Sequence, residues 1–480
     1  MTITAEKTKD TDSNTSNQGQ RVHALSPYSK VLEENIGCNA VCKGEIMAER
    51  YLPLVRAKGT HFEVGKAIGE QCKKKIEDQI DFYSYLLKKE FSMSWKRAIN
   101  RSKKYLPACE KVVPELLDEL KGMAEGSGKT FDDLFALNCF EEILFESAQK
   151  KNACTGIAVS QDYTKDGCVY LGHNEDWLRG DLGNQVMIHA SLEGEPEFIA
   201  LAYGAVLPAT GLNSAGIAHS ANAQGHADFK EEGVPCMLVA RKILSARNID
   251  EAVDIARMPD RASGTNHLIA DEKGAMYSIE TSATQDNIIK NRKYAVHSNH
   301  YITHKMEKYN EEEDKDSLRR YGLARELVSK ELKQIDYKLL KTILSNHGDG
   351  SAIQPDPYAL CQHATRAYSP MDEDETISSI IINLTTKTVW ACKGNPCKNN
   401  FKEYKFEIHE EKEGAAKEEQ KEEKKEAKVE KKEEIKEGKP EKKDEKEKIE
   451  EKEKKTEADP RKTEIPKIED KQEKSIERKQ

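Results

Sequence analysis

The chain has 480 residues and a formal net charge of -9 at pH 7, and residues 411–480 alone carry 24 Lys/Arg and 25 Asp/Glu, a composition that cannot build a core. The remaining 410 residues hold 52 basic and 60 acidic groups, an ordinary globular balance that leaves room for one large domain or two smaller ones and lacks the basic surface a nucleic-acid binder needs. No apolar run reaches the roughly 18 residues of a membrane span, the first residues lack a secretory pattern, and eleven scattered cysteines read as reduced thiols, so no membrane partner and a cytoplasmic location are expected.

Residues 1–45 are polar and read as a flexible N-terminal arm. From 46 to 153 the pattern is helical. Phe62, Val64, Ile68, Ile76, Ile80, Tyr83 and Leu86 recur near helical spacing, and so do Val112, Val113, Leu116, Leu117, Leu120 and Met123. Gly126-Ser127-Gly128 stops this second helix, and Thr130, with Asp132 and Asp133 behind it, caps a third.

After Asn152 the period becomes alternating. Strands are expected over Thr155–Ser160 and Gly167–His173, joined through Lys165-Asp166-Gly167, and over Gln185–Leu192, Phe198–Tyr203 and Gly216–Ala221. Helices follow over Pro235–Ala246 and Ile249–Arg257. Further strands are expected over His267–Ala270, Met276–Ile279, Tyr294–Asn299, Thr376–Leu384 and Val389–Cys392, with helices around 316–345. Hairpins separated from blocks of helix predict antiparallel α+β layers. The Lys/Glu-rich tail from 409 to 480 reads as disordered, with a single solvated helix as the alternative; its partner is not identified by the sequence.

The chemistry centres on Asn152-Ala153-Cys154-Thr155-Gly156, where helix gives way to the first strand of the alternating region at a nucleophile. An internal Cys is ordinarily a small buried hydrophobe. Here the strand that follows returns through Gly172-His173-Asn174-Glu175-Asp176-Trp177 and can bring a carboxylate to the strand end. His297, His300 and His304 invite a metal, but no carboxylate or Cys frame completes it. Cys38 with Cys42, and Cys392 with Cys397, lack a second pair at zinc-finger spacing and read as ordinary thiols. Gly211 to Gly216 does not have the Walker pattern of a phosphate loop. No metal and no cofactor is expected.

From Arg56 to Tyr404 the order and spacing of Lys58-Gly59-Thr60-His61-Phe62-Glu63-Val64-Gly65, Cys154-Thr155-Gly156, Gly172-His173-Asn174-Glu175-Asp176, Gly211-Leu212-Asn213-Ser214-Ala215-Gly216, His297-Ser298-Asn299-His300 and Gly394-Asn395-Pro396-Cys397 resemble one family. It is the isopenicillin-N acyltransferase and β-alanyl-dopamine hydrolase group of N-terminal-nucleophile (Ntn) hydrolases. The resemblance implies a four-layer αββα sandwich. It also implies an autocatalytic precursor in which Cys154 attacks the Ala153 carbonyl, giving two interlocked chains, 1–153 and 154 onward, of roughly 17 and roughly 37 kDa by proportion; the second divides into a catalytic chain at 154–408 and the tail.

By the same resemblance, Asp176 orients the freed amino group of Cys154, Asn299 donates to the oxyanion, and Asn222 supplies a second donor. A free α-amine, with a reference pKa near 7.7 to 8.0, can take the thiol proton of its own residue. Two departures stand out: Ala153 occupies a position where Gly is common, and the acidic Met371 to Glu375 lies where some relatives carry an Arg, with Arg366 nearby. The expected reaction is cleavage of a small N-acyl amine or aminoacyl conjugate through an acyl-thioester. Acyl transfer from a CoA thioester and a non-enzymatic scaffold are the alternatives.

Overall fold

The computed structural model describes residues 50–145, 153–224, 227–310, 314–350, 358–364 and 374–406. The N-terminal arm, the charged tail, Cys38, Cys42 and Arg366 lie outside these residues. No helix among the described residues is long and apolar enough to cross a membrane.

Two sheets form the centre. The larger has eight strands in the order β1 (Leu54–Gly59), β4 (Gln185–Leu192), β5 (Phe198–Tyr203), β6 (Val206–Asn213), β7 (Ile217–Ala223), β8 (Thr265–Asp271), β9 (Met276–Thr281) and β10 (Asp286–Asn291). The smaller runs β11 (Tyr294–His297), β2 (Ala153–Val159), β3 (Tyr170–Leu178), β12 (Asp374–Asn383), β13 (Thr388–Lys393) and β14 (Lys402–Lys405). Their facing sides share one apolar core that includes Ala158, Leu171, Met187, Leu201, Leu268 and Ile380.

On the outer side of the larger sheet pack α1 (His61–Phe91), α2 (Trp95–Ser102), α3 (Leu106–Val112), α4 (Pro114–Ser127), α5 (Phe131–Asn138), α6 (Phe140–Phe145), α7 (Cys236–Ile243) and α8 (Ile249–Ala256). On the outer side of the smaller sheet, α9 (Lys315–Lys330) and α10 (Tyr337–Leu344) cover Ile157, Val159, Tyr170 and Ile381. The layers run helix, sheet, sheet, helix: the four-layer αββα sandwich that the resemblance implies.

Local signals set the helix ends. Thr60 caps α1, its hydroxyl accepting from the Glu63 N–H while the Glu63 carboxylate accepts from the Thr60 N–H. Thr130 and Asp133 do the same for α5, and Gly128 ends α4 in the left-handed region at φ 72°. The segment read as the helical chain, 46–153, also contains β1, which joins the sheet parallel to β4 through Leu54 opposite Met187. Its alternation buries only Val55 and Ala57, too short a pattern to stand out beside the helical run that follows. The connection from β2 to β3 is longer than a tight hairpin and holds a 3-10 turn at Gln161–Tyr163 before Gly167 turns the chain at φ 71°.

α1 crosses α4 with backbone against backbone. A Cβ on Gly65 would lie 1.8 Å from the Glu119 carbonyl oxygen, and one on Gly122 would lie 1.9 Å from the Phe62 carbonyl oxygen. This approach seats the fully buried Glu119 against Arg241 of α7, whose Nη2 donates to it at 2.8 Å. Gly122→Ala must separate the two helices and is expected to cost on the order of 1–3 kcal/mol. Thermal unfolding of the variant checks this; an unchanged melting temperature would mean that the crossing yields freely.

Candidate active site

Cys154 is the second residue of β2, a strand buried along its whole length. Strand alternation divides the site into two faces. In the β2–β3 pairing Cys154 stands opposite Glu175, and Ala153 opposite Asp176. The Cys154 thiol accordingly shares a face with Glu175, 3.7 Å from its Oε1, and Glu175 is held in turn by His173 Nε2 at 3.1 Å. Asp176 belongs to the other face. There its Oδ1 accepts from the Thr376 hydroxyl, and its Oδ2 is buried without a hydrogen-bond partner.

The backbone of Cys154 is held at both ends. Its N–H donates to Asn299 Oδ1 at 2.8 Å, and its carbonyl accepts from Arg320 Nη1 at 2.7 Å. Arg320 comes from α9 and is fully buried. All five of its N–H groups are used: Nε and one Nη2 hydrogen on Asp316, the other Nη2 hydrogen on Asn299 Oδ1, and Nη1 on the Cys154 carbonyl and the Thr155 hydroxyl. Because Asn299 Oδ1 faces two donors, its Nδ2 turns to the Ala223 carbonyl at 3.1 Å.

Asn222, on β7, reaches toward the same end of β2. A Cβ on Gly156 would come within 3.4 Å of Asn222 Oδ1. Asn222 Oδ1 accepts from Asn266 Nδ2, while Asn222 Nδ2 is buried without a partner. The structure thus brings Cys154, Asp176, Asn299 and Asn222 to one strand end. It adds Arg320 and Glu175, which the sequence reading did not assign. Glu175 was within reach of that reading, because of two adjacent carboxylates on a strand only one can share the nucleophile's face. Arg320 was not, because Asp316 and Arg320 at i,i+4 look like a solvent-exposed helical pair.

The thiol opens on a cleft lined by Tyr83, Phe140, Glu141, Glu175, Trp177 and Tyr203 among others. Burial, with the Glu175 and Asp176 charges, holds the Cys154 thiol well above its usual range, while Arg320 pulls the other way. Burial, Glu142 and Glu175 push the Glu141 carboxyl up to about 8.

The three histidines singled out as a possible metal set diverge. His297 Nε2 faces Glu280, His300 Nδ1 faces the Ser317 hydroxyl, and His304 is 99% exposed in a non-helical turn. Two other groups bring metal-ligating atoms within 4.8 Å of one another: Cys154 with His173 and Glu175, and His347 with Cys361, His363 and Cys397. Cys397, read from the sequence as an ordinary thiol, belongs to the second.

Residues 163–398 match the sequence model of the acyl-coenzyme A:6-aminopenicillanic acid acyl-transferase family. Over these residues the chain belongs to that family. The matched segment contains Asp176, Asn222, Asn299 and Arg320; Cys154 precedes it. A β-alanyl-dopamine/carcinine hydrolase of Drosophila melanogaster is 25% identical over 269 residues, covering 51% of this chain and 68% of its own length. The 40 kDa form of an acyl-coenzyme A:6-aminopenicillanic-acid-acyltransferase of Emericella nidulans is 22% identical over 254 residues, covering 52% and 69%. Among solved structures, a Caenorhabditis elegans N-acylethanolamine-hydrolyzing acid amidase ortholog aligns with a TM-score of 0.34 at 15% identity, over 48% of this chain and 93% of its own. A likeness at that level adds nothing to the layers seen directly.

Burial pushes the Asp176 carboxyl up to about 8, against the pull of Arg320 and the Thr376 hydroxyl. Between about pH 4 and about pH 8 the folded chain therefore keeps a proton that the unfolded chain has lost, so stability falls as pH rises across that window. In uncleaved Cys154→Ala protein, adding Asp176→Asn is expected to flatten that slope. Melting curves between about pH 5 and about pH 8 check this; parallel slopes would mean that Asp176 is already ionised in the uncleaved chain.

Proposed function

We propose that the chain is a cysteine amidohydrolase that frees Cys154 as an amino terminus and cleaves small cationic N-acyl amines through an acyl-thioester on that residue. The observation that carries this reading is a nucleophile at a cleft with its backbone clamped at both N–H and C=O, beside a buried acceptor oxygen on Asp176 and a buried donor on Asn222 that lack partners. Unpaired buried polar groups are costly. A new α-amine and a transient oxyanion would satisfy these two.

Maturation needs a proton acceptor other than the nitrogen of residue 154, which is still an amide. Glu175 faces the thiol and takes its proton as Sγ attacks the Ala153 carbonyl. The C–N bond breaks as that nitrogen gains a proton, and water hydrolyses the Ala153 thioester, releasing the Ala153 carboxylate and the free thiol and amine of Cys154. In turnover the α-amine, held by Asn299 Oδ1 and balanced by Asp176, takes the thiol proton and passes it to the leaving amine. Asn222 Nδ2 donates to the oxyanion. Asn299, whose oxygen faces the nitrogen of residue 154, acts chiefly in positioning it.

The cleft supports a cationic substrate. Glu141 and Glu175 line it, and no Lys or Arg is among the described residues that do. The hydrolase relative carries β-alanyl-dopamine and carcinine in its name, both amine-bearing conjugates. A CoA thioester, the acyl donor in the name of the matched family, brings phosphates that this lining disfavours, so acyl transfer is the second reading.

Intact mass and N-terminal sequencing test maturation: wild-type protein is expected as two fragments with the larger beginning at Cys154, and Cys154→Ala as one. A break elsewhere, or a cut Ala variant, would overturn the assignment, and uncut inactive wild-type protein would favour a scaffold. For substrate charge, measured above about pH 8 where the Glu141 carboxyl is ionised, Glu141→Gln is expected to raise KM for an aminoacyl amine by about 10- to 100-fold with a smaller change in kcat, the loss of one charge-assisted hydrogen bond. An equal effect on an uncharged N-acyl amine would remove Glu141 from amine recognition.

A further inference from the structure

Three separate loops bring His347, Cys361, His363 and Cys397 together beyond the ends of α10 and β13. His363 Nε2 lies 3.2 Å from His347 Nε2, 3.4 Å from Cys361 Sγ and 3.3 Å from Cys397 Sγ, and the two sulfurs are 3.6 Å apart. A ring nitrogen offers one proton or one lone pair, so it cannot hydrogen-bond three such groups at once. One cation equidistant from all four atoms accounts for the arrangement. A tetrahedron with Zn–S near 2.3 Å and Zn–N near 2.05 Å has edges of about 3.8 Å between sulfurs, about 3.3 Å between nitrogens and about 3.5 Å between sulfur and nitrogen. The observed separations follow that pattern.

We propose that these four residues bind a structural zinc ion, closed to substrate, that fastens residues 358–364 to the catalytic sheet. Two thiolates and two neutral imidazoles make a ligand set suited to zinc, and the two thiol protons leave as the ion enters. With Nε2 on the metal, His363 carries its proton on Nδ1. Lys398, exposed and 3.2 Å from Nδ1, then turns to solvent.

The consequence for the site runs through Gln362, which sits between two of the ligands. Its N–H donates to Thr376 Oγ1 at 2.9 Å, its carbonyl accepts from the Thr376 N–H at 3.0 Å and from Asn395 Nδ2, and its side chain reaches Asp316. Thr376 in turn donates to Asp176, and Asp316 holds Arg320. The zinc ligands are therefore positioning residues for Asp176 and Arg320, and the site is separate from the Cys154, His173 and Glu175 group.

Metal analysis of the full chain, purified without chelator or a metal-affinity step, is expected to give about one zinc per chain, kept in Cys154→Ala and lost in the Cys361→Ser, Cys397→Ser pair. Should the double variant fail to fold, wild-type protein stripped and titrated with CoCl2 is expected to show tetrahedral ligand-field and thiolate-to-cobalt bands at one equivalent, and ZnCl2 to abolish them and raise the melting temperature. Wild-type protein that holds no zinc and gives no such bands would overturn the proposal. So would zinc retained in a folded double variant, zinc lost with Cys154 alone, or a disulfide between Cys361 and Cys397 in metal-free native protein.

Discussion

Arg320 has no solvent contact and spends every donor it owns within a few ångströms of the nucleophile. A buried guanidinium is tolerable only where each N–H finds an acceptor and a counter-charge is close. Asp316 supplies the charge, and the Cys154 carbonyl, Thr155 hydroxyl and Asn299 amide supply the remaining acceptors. Satisfying that cation fixes α9 against the smaller sheet, the start of β2 against α9, and the Asn299 side chain against the nitrogen of residue 154. The geometry around Cys154 thus follows from solving one buried-charge problem.

The two faces of the β2–β3 pair then divide the electrostatics. On the cleft face, Glu175 and its partner His173 lie beside the thiol, and Glu141 brings a second carboxyl, so the space a substrate enters is acidic with apolar walls. On the helix face, Asp176 and Arg320 sit behind the backbone of Ala153 and Cys154, on the side away from the cleft. The same strand alternation that builds the core keeps the Glu175 and Asp176 carboxylates on opposite faces, and burial with their charges holds the Cys154 thiol well above its usual range.

Features written in neighbouring residues were legible. The Thr130 cap, the Gly128 stop and the strands around Cys154 are local patterns, and each is present. The layered α+β architecture followed from the order of those patterns and from the family resemblance. Features that depend on convergence were not legible. β1 is six residues that gain meaning only beside β4. The glycine crossing of α1 and α4 joins positions 57 residues apart, Gly65 and Gly122, with no composition signal of its own. The Cys361-His363 pair has its partners 14 residues before Cys361 and 34 after His363, far from any zinc-finger spacing, and only folding joins them. Arg320 carries the pattern of a surface ion pair and becomes a buried cation because its helix packs over the end of β2.

In the proposed reaction the acyl group passes through the sulfur of an amino-terminal Cys154. Turnover of an aminoacyl amine quenched in acid, followed by peptide mass mapping, tests it most directly. The expected product is a peptide that begins at Cys154 and carries the acyl mass as a hydroxylamine-labile thioester. Full turnover by protein whose Ala153–Cys154 bond is intact, or the acyl group on any other residue, would contradict it.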